Sequence, residues 1–219
     1  ITELEVDPTI PVHTAWDLGK EDSTSIFFFQ VAPNGIAVLD HYENHGFDLD
    51  HYVAELRSRG YTYGIHFMPH DARARILGMK RTRLEQLLTM LKPDRVSVVI
   101  DHTVMDGIAA GRMTLGKAWI DKTRCREAIE ALRQYRTEYD EKARAFKTTP
   151  KHDWTSHTAD AWRYMAMAWR ELRSEVVKEK PKNYTYVADP TSGTIKSTIS
   201  IQDIIKRSER AAKDRRSIR

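Results

Sequence analysis

Three aspartates, far apart along the chain, have the chemistry and the placement to share one metal site. Asp17 ends the first strand-like run, Asp71 follows a later strand-like run, and Asp160 lies near the start of a late helical segment. Carboxylate oxygens suit Mg²⁺ and Mn²⁺, and carboxylates at adjacent strand ends repel one another unless cations neutralise them. Two ions about 4 Å apart can activate a water and stabilise the leaving oxygen of a phosphodiester. The sequence therefore predicts that the three aspartates converge on two divalent ions.

Residues near these aspartates are candidates to orient the ligands. Asp153, His157 and Asp160 are spaced i, i+4 and i+7, so they share one face of a helix. We expect Asp153, His157 and His70 to contact the metal ligands. The alternatives are that Asp153 caps the helix and that His157 is an ordinary hydrogen-bonded histidine. A mononuclear zinc site through His152 and His157 is a minor option, because a third His or Cys is missing.

Basic residues crowd the segment after Asp71. Within positions 71 to 83, five side chains are cationic, and they predict a rim that grips DNA phosphates without reading bases. The alternative is a solvated entry to a helix. The five are Arg73, Arg75, Lys80, Arg81 and Arg83.

Composition sets the class of protein. The chain has 219 residues, 41% of them apolar, which suits one generous domain or one domain with an appendage. The single Cys125 excludes a disulfide framework and any multi-cysteine zinc site, and no apolar run approaches a membrane span. Residues 178–219 hold 11 Lys/Arg and 5 Asp/Glu. The whole chain has 35 Lys/Arg and 31 Asp/Glu, so residues 1–177 hold 24 Lys/Arg and 26 Asp/Glu. This basic tail indicates electrostatic binding to nucleic acid or to an acidic partner. The alternative is a solvated basic end without a binding role.

The order of elements predicts an α/β fold of the ribonuclease H type. Three strands form an antiparallel meander, and two crossover units then add parallel strands, so we expect a mixed sheet of five or more strands flanked by helices. Glu43 is assigned to the loop after the third strand, where it could supply a further acid. Long helices are predicted over 104–116, 122–146 and 154–177. Residues 1–177 form the predicted nuclease-type domain, and 178–219 a tail with a hairpin and a basic helix over 201–213.

The motifs together resemble the nuclease domain of the large terminase subunit of tailed bacteriophages. The resemblance rests on three stretches, namely Trp16-Asp17-Leu18-Gly19 with Asp22 and Thr24, Pro69-His70-Asp71-Ala72, and His152-Asp153-Trp154 through His157 to Asp160 and Tyr164. It implies a ribonuclease H-like fold and a two-metal endonuclease, using Mg²⁺ or Mn²⁺, that cuts concatemeric viral DNA during packaging. The family acids map onto Asp17, Asp71 and Asp160.

The same resemblance implies the setting of the domain. Family members carry an N-terminal ATPase motor, and since this chain starts at Ile1 without methionine, we expect it to be the C-terminal part of such a protein. The expected partners are double-stranded DNA, that ATPase domain, the portal protein and the small terminase subunit, in the host cytoplasm and away from membranes. Two alternatives stay open: a Holliday-junction resolvase or other ribonuclease H-like nuclease, and a non-catalytic DNA-binding or portal-docking module.

Overall fold

The computed structural model describes residues 1–19, 22–75, 80–142, 144–177, 186–188 and 195–197. Its centre is a mixed six-stranded sheet with the order β5-β4-β1-β2-β3-β6. The first three strands form an antiparallel meander, while β4 and β5 extend it in parallel on one side and β6 on the other. The strands are β1 (Val12–Asp17), β2 (Thr24–Ala32), β3 (Gly35–Asn44), β4 (Tyr63–Met68), β5 (Arg95–Val98) and β6 (Ala118–Ile120). The predicted ribonuclease H-like α/β class is thereby confirmed.

Five helices accompany the sheet in the described part of the chain, together with one 3₁₀ turn over His70–Arg73. A separate two-stranded hairpin precedes the last helix. The helices are α1 (Leu49–Ser58), α2 (Arg83–Met90), α3 (Val104–Leu115), α4 (Arg126–Gln134) and α5 (Ser156–Val177), and the hairpin strands are β7 (Thr137–Asp140) and β8 (Ala145–Pro150). None of the helices described is long and apolar enough to cross a bilayer.

The sheet separates two apolar cores because both faces of its central strands are buried. On one face, Phe27 and Phe29 of β2 pack with residues of α4 and α5, including Trp162. On the other, Ile26 and Phe28 pack with residues of α1 and α2. Alternate side chains of a strand point to opposite faces, so each strand feeds both cores. We call these the α5 face and the α1 face of the sheet.

The long helix predicted over 122–146 is wrong. The structure has the nine-residue helix α4 followed by the β7–β8 hairpin. The helix ends where Tyr135 takes an extended conformation, with φ −64° and ψ 118°. Beyond it, Tyr139 and Phe146 pair across the hairpin with ring centroids 5.2 Å apart. Cross-strand aromatic pairs stabilise hairpins, and the segment lacks the apolar stripe that would hold a longer helix against the core.

The prediction also omitted β6, which has only three residues. It pairs in parallel with Ile36, Ala37 and Val38 of β3. The residue after it, Asp121, accepts hydrogen bonds from the backbone amides of Leu4, Thr123 and Arg124. A strand of three residues carries too little alternation to be recognised, and its pairing depends on β3, about 80 residues earlier in the chain.

Contacts divide the chain into two units, Ile1–Glu175 and Val176–Arg219. Within the second unit, β9 (Tyr186–Ala188) and β10 (Ile195–Ser197) form an antiparallel pair, which agrees with the predicted hairpin. The basic helix predicted over 201–213 lies outside the described residues. The assignment of residues 178–219 as a separate tail domain stays a prediction.

Candidate metal centre

The topology brings Asp17 and Asp71 to the same edge of the sheet. Strands β1 and β4 run in parallel, with Ala15 opposite Phe67. Asp17 closes β1, and Asp71 lies three residues beyond the end of β4 in the 3₁₀ turn. Because carboxyl ends of parallel strands meet at one edge, both carboxylates belong to the same neighbourhood. Side-chain alternation along β1 places Asp17 with Ala15 on the α5 face.

Asp17 is a mostly buried carboxylate held by a histidine from the last helix. His157 Nδ1 lies 3.1 Å from Asp17 Oδ2, and only 17% of the Asp17 side chain is exposed. The pKa of Asp17 is raised to about 6, chiefly by burial and also by the negative charges of Asp160 and Asp71, against the opposing effect of His157. The hydrogen bond to Asp17 raises the pKa of His157 in turn. The two other candidate aspartates therefore lie near enough to Asp17 to act on its charge.

Asp160 reaches this neighbourhood from α5, held by a basic residue one turn later. Arg163 donates from Nη2 and Nε to Asp160 Oδ1, at 2.6 and 3.1 Å. Arg163 is a buried residue, with 6% of its surface exposed, and a buried guanidinium needs such a partner. Sequence reasoning missed Arg163, although an Asp and an Arg three positions apart on a helix are a recognisable ion-pair pattern.

The charges of all three aspartates act on the phenol of Tyr164. Burial raises the pKa of its phenol, and the charges of Asp17, Asp71 and Asp160 act in the same direction. His70 packs edge-on against the Tyr164 ring, with centroids 6.2 Å apart, and its Nε2 lies 3.6 Å from Asp101 Oδ1. His70 thus borders the centre through the Tyr164 ring, while its Nε2 faces Asp101.

Asp153 lies three residues before α5 and bonds to the residues at the entry to that helix. Its carboxylate accepts from the amide and the hydroxyl of Thr155, at 3.0 and 2.7 Å, and lies 3.7 Å from Lys151 Nζ. Its own backbone amide donates to Ser156 Oγ. These bonds fix the segment that leads into α5, the helix that carries His157.

Glu43 is not a loop residue as predicted but a residue of β3, paired with Ser25 of β2. It accepts a 2.6 Å hydrogen bond from Thr158 Oγ1 on α5. Its charge also raises the pKa of the neighbouring His157. The prediction placed Glu43 in the loop after the third strand, because the polar residues there carry no apolar alternation. The structure makes Glu43 a fourth acid bordering the centre.

Four of the five basic residues proposed for a DNA rim are exposed. They are Arg73, Arg75, Lys80 and Arg81. The fifth, Arg83, donates from Nη1 to the carbonyl oxygens of Leu18 and Gly19, at 3.0 and 2.5 Å. It therefore supports the turn directly after Asp17, and its contribution to a DNA rim stays a prediction.

The donor chemistry fits hard divalent ions. Asp17 and Asp71 lie at one edge of the sheet and Asp160 approaches from α5, and the repulsion among their charges favours a cation there. The aspartates do not crowd around one point, however. Within the described residues, the three potential ligands whose donor atoms all lie within 4.8 Å of one another are Asp22, His152 and His157. A wider spacing of carboxylates is compatible with two ions, each of which needs its own ligands.

No family model matches the chain, and no curated protein matches its sequence. Solved structures do match its fold. The large terminase nuclease domain of bacteriophage P22 is 19% identical with a TM-score of 0.55, and the match covers 78% of this chain and 87% of that one. The nuclease domain of bacteriophage SPP1, solved with bound Mn, is 17% identical with a TM-score of 0.55, covering 74% and 86%.

The large terminase of a thermophilic bacteriophage matches with the same TM-score of 0.55 and 17% identity. That match covers 76% of this chain but only 41% of the terminase, so this chain spans about two fifths of that relative. These identities are low enough that the likeness concerns the fold. The resemblance inferred from the motifs is thus supported by an independent property, because the chain has the ribonuclease H-like fold of large terminase nuclease domains.

Proposed function

We propose that the chain is a metal-dependent DNA endonuclease and that Asp17, Asp71 and Asp160 hold two divalent ions, Mg²⁺ or Mn²⁺. The observation that carries the proposal is the state of Asp17, a mostly buried carboxylate whose pKa is raised to about 6 with two further acids acting on it. Such an arrangement is unfavourable in the bare protein and becomes favourable when cations are bound. The Mn in the SPP1 nuclease domain of the same fold supports this choice of ion.

When bound, two such ions supply an activated water and neutralise charge on the leaving oxygen of a phosphodiester. The protein's part is to place the ligands. His157 holds Asp17 through Oδ2, which leaves Oδ1 for a cation. Arg163 likewise occupies Oδ1 of Asp160 and leaves Oδ2. Holding ligands in place before binding lowers the cost of ordering them.

The proposed substrate is double-stranded DNA in concatemers, cut during packaging of a viral genome. Support comes from the fold, which the chain shares with nuclease domains of large terminases. The exposed cations Arg73, Arg75, Lys80 and Arg81 would bind phosphates next to the metal centre and give little base selectivity. In this proposal the chain works with an N-terminal ATPase domain of the same protein, a portal protein and a small terminase subunit, in the host cytoplasm.

Nicking of supercoiled plasmid in Mg²⁺ or Mn²⁺ tests the proposal. We expect the wild-type chain to convert plasmid to open-circular and linear forms, and Asp17→Asn and Asp71→Asn to lose this activity by at least about a hundredfold, the scale of removing groups that stabilise a transition state. Asp50→Asn is the matched control, because Asp50 is an exposed aspartate of α1. Full activity in Asp17→Asn would refute the assignment.

The same preparation separates the alternatives. A preference for four-way junctions or RNA–DNA hybrids over plain duplex would favour a resolvase or another ribonuclease H-like nuclease. Salt-sensitive DNA binding without cleavage in any divalent ion would favour a non-catalytic module.

A further inference from the structure

A second cluster of potential metal ligands lies beside the carboxylate centre. It joins Asp22 in the β1–β2 connection, His152 in the loop after β8, and His157 in the first turn of α5. Their donor atoms lie within 4.8 Å of one another, and the His152 and His157 rings are 5.7 Å apart, edge to face. The two imidazoles were noticeable in the sequence, but the third ligand was not, since Asp22 lies far before His152 in the chain.

The donor set differs from that of the three aspartates. Two imidazole nitrogens and one carboxylate oxygen suit Zn²⁺, Co²⁺ or Ni²⁺ rather than Mg²⁺. Three protein ligands with an open fourth position are the arrangement of zinc sites that keep a water. Asp22 and His152 are exposed, so an ion can enter from solvent.

The electrostatics around His157 point the same way. The carboxylates of Asp17 and Asp22 both lie beside the His157 ring, so the ring is in a negative field that attracts cations. Its Nδ1 faces Asp17 Oδ2 at 3.1 Å, which leaves Nε2 as the nitrogen for a cation. A carboxylate on one ring nitrogen and a metal on the other is the usual environment of a metal-binding histidine, since the carboxylate selects the tautomer and increases the basicity of the ligand.

We propose that Asp22, His152 and His157 form a separate binding site for a transition-metal ion of the Zn²⁺ class, linked through the His157 ring to Asp17. The inference goes beyond the nuclease proposal, because it concerns binding of a different class of ion by a different set of atoms. Occupation of the site would fix the His157 tautomer that donates to Asp17 and connect the two centres.

Cobalt titration of the full chain tests the site, since Co²⁺ replaces Zn²⁺ and absorbs visible light much more strongly in a four-coordinate site than in an octahedral one. The titration uses Asp71→Asn protein, in which the carboxylate centre is weakened and the imidazole cluster is intact. We expect a strong visible band in this protein. Adding His152→Ala should abolish the band, and adding Asp22→Asn should weaken Co²⁺ binding by about tenfold or more.

His45→Ala in the same background is the matched control, because His45 is an exposed histidine outside the cluster, and it should leave the titration unchanged. Zn²⁺ should displace Co²⁺ from the band and shift the NMR signals of the His152 and His157 rings. Thermal unfolding without metal should be the same for His152→Ala and its parent, since His152 is exposed.

Unchanged Co²⁺ affinity in either the His152→Ala or the Asp22→Asn protein would overturn the proposal. Because no DNA is present, the outcome is independent of whether the chain cuts DNA.

Discussion

Replacing Asp17 by asparagine should stabilise the metal-free protein, and the gain should depend on pH. Asp17 has its pKa raised from 3.8 to about 6 in the folded chain, first by burial and then by the charges of Asp160 and Asp71. Its ionised form therefore opposes folding. A group whose pKa is higher in the folded state than in the unfolded state lowers stability once the pH exceeds the unfolded value.

The magnitude follows from the shift. About two pKa units correspond to about 3 kcal/mol at a pH above both values. The Asp17 side chain is only 17% exposed, so solvent screening reduces this figure little. The substitution also weakens the bond to His157, which is worth about 1 kcal/mol. We expect Asp17→Asn to raise the free energy of unfolding by about 2 kcal/mol at a pH of about 8.

The assay is urea unfolding in EDTA at a series of pH values, for wild type, Asp17→Asn and the control Asp50→Asn. Below about pH 4 the carboxyl is protonated in both states, so the advantage of Asp17→Asn should vanish there. It should grow between about pH 4 and about pH 6 and stay constant above that. Adding Mn²⁺ at about pH 8 should stabilise wild type more than Asp17→Asn, because ligands that bind only the folded state stabilise it.

Two results would contradict this prediction. One is an Asp17→Asn protein that is less stable than wild type at about pH 8. The other is a stability difference between the two proteins that is the same at about pH 4 and about pH 8. Either result would mean that the carboxylate is adequately solvated or paired without a cation. The three acids would then not need a metal in order to be accommodated in the folded chain.

Three further predictions concern other parts of the molecule. Asp121→Asn should lower the free energy of unfolding by about 2 kcal/mol at about pH 7, because Arg124 and backbone amides hold the pKa of this aspartate far below its usual value. In urea unfolding, this loss of stability should become smaller as the pH falls below about 4. EDTA should abolish plasmid nicking without changing the far-ultraviolet circular dichroism, and excess Mn²⁺ should restore it. Gly19→Ala should reduce both stability and nicking, measured by thermal unfolding and plasmid conversion, because its Cβ would collide with the backbone carbonyls of Asp22 and Ser23.

The sheet was largely predictable from sequence. Dense apolar runs such as Ile26 to Phe29, separated by turn residues, determine strands and short connections locally. They also determine that Asp17 ends one strand and that Asp71 follows another. Asp17 and Asp71 lie at or just beyond strand ends, so their approach followed once parallel neighbours were inferred. The exceptions were short or polar segments, β6 and the β7–β8 hairpin, whose conformation depends on partners elsewhere.

The details of the centre came only from packing. Spacing along α5 shows that His157 and Asp160 share a helix face, but only the docking of that face on the sheet brings His157 to Asp17, 140 residues earlier in the chain. The contact of Glu43 with Thr158 and the meeting of Asp22 with His152 arise in the same way.

Residue type and periodicity over a few neighbours were enough to identify the three aspartates and the strands and helix that carry them. Which oxygens and nitrogens face one another followed from the packing of the folded chain. Such contacts depend on how closely a helix and a sheet pack, to within about an ångström or two, and no local pattern contains that distance.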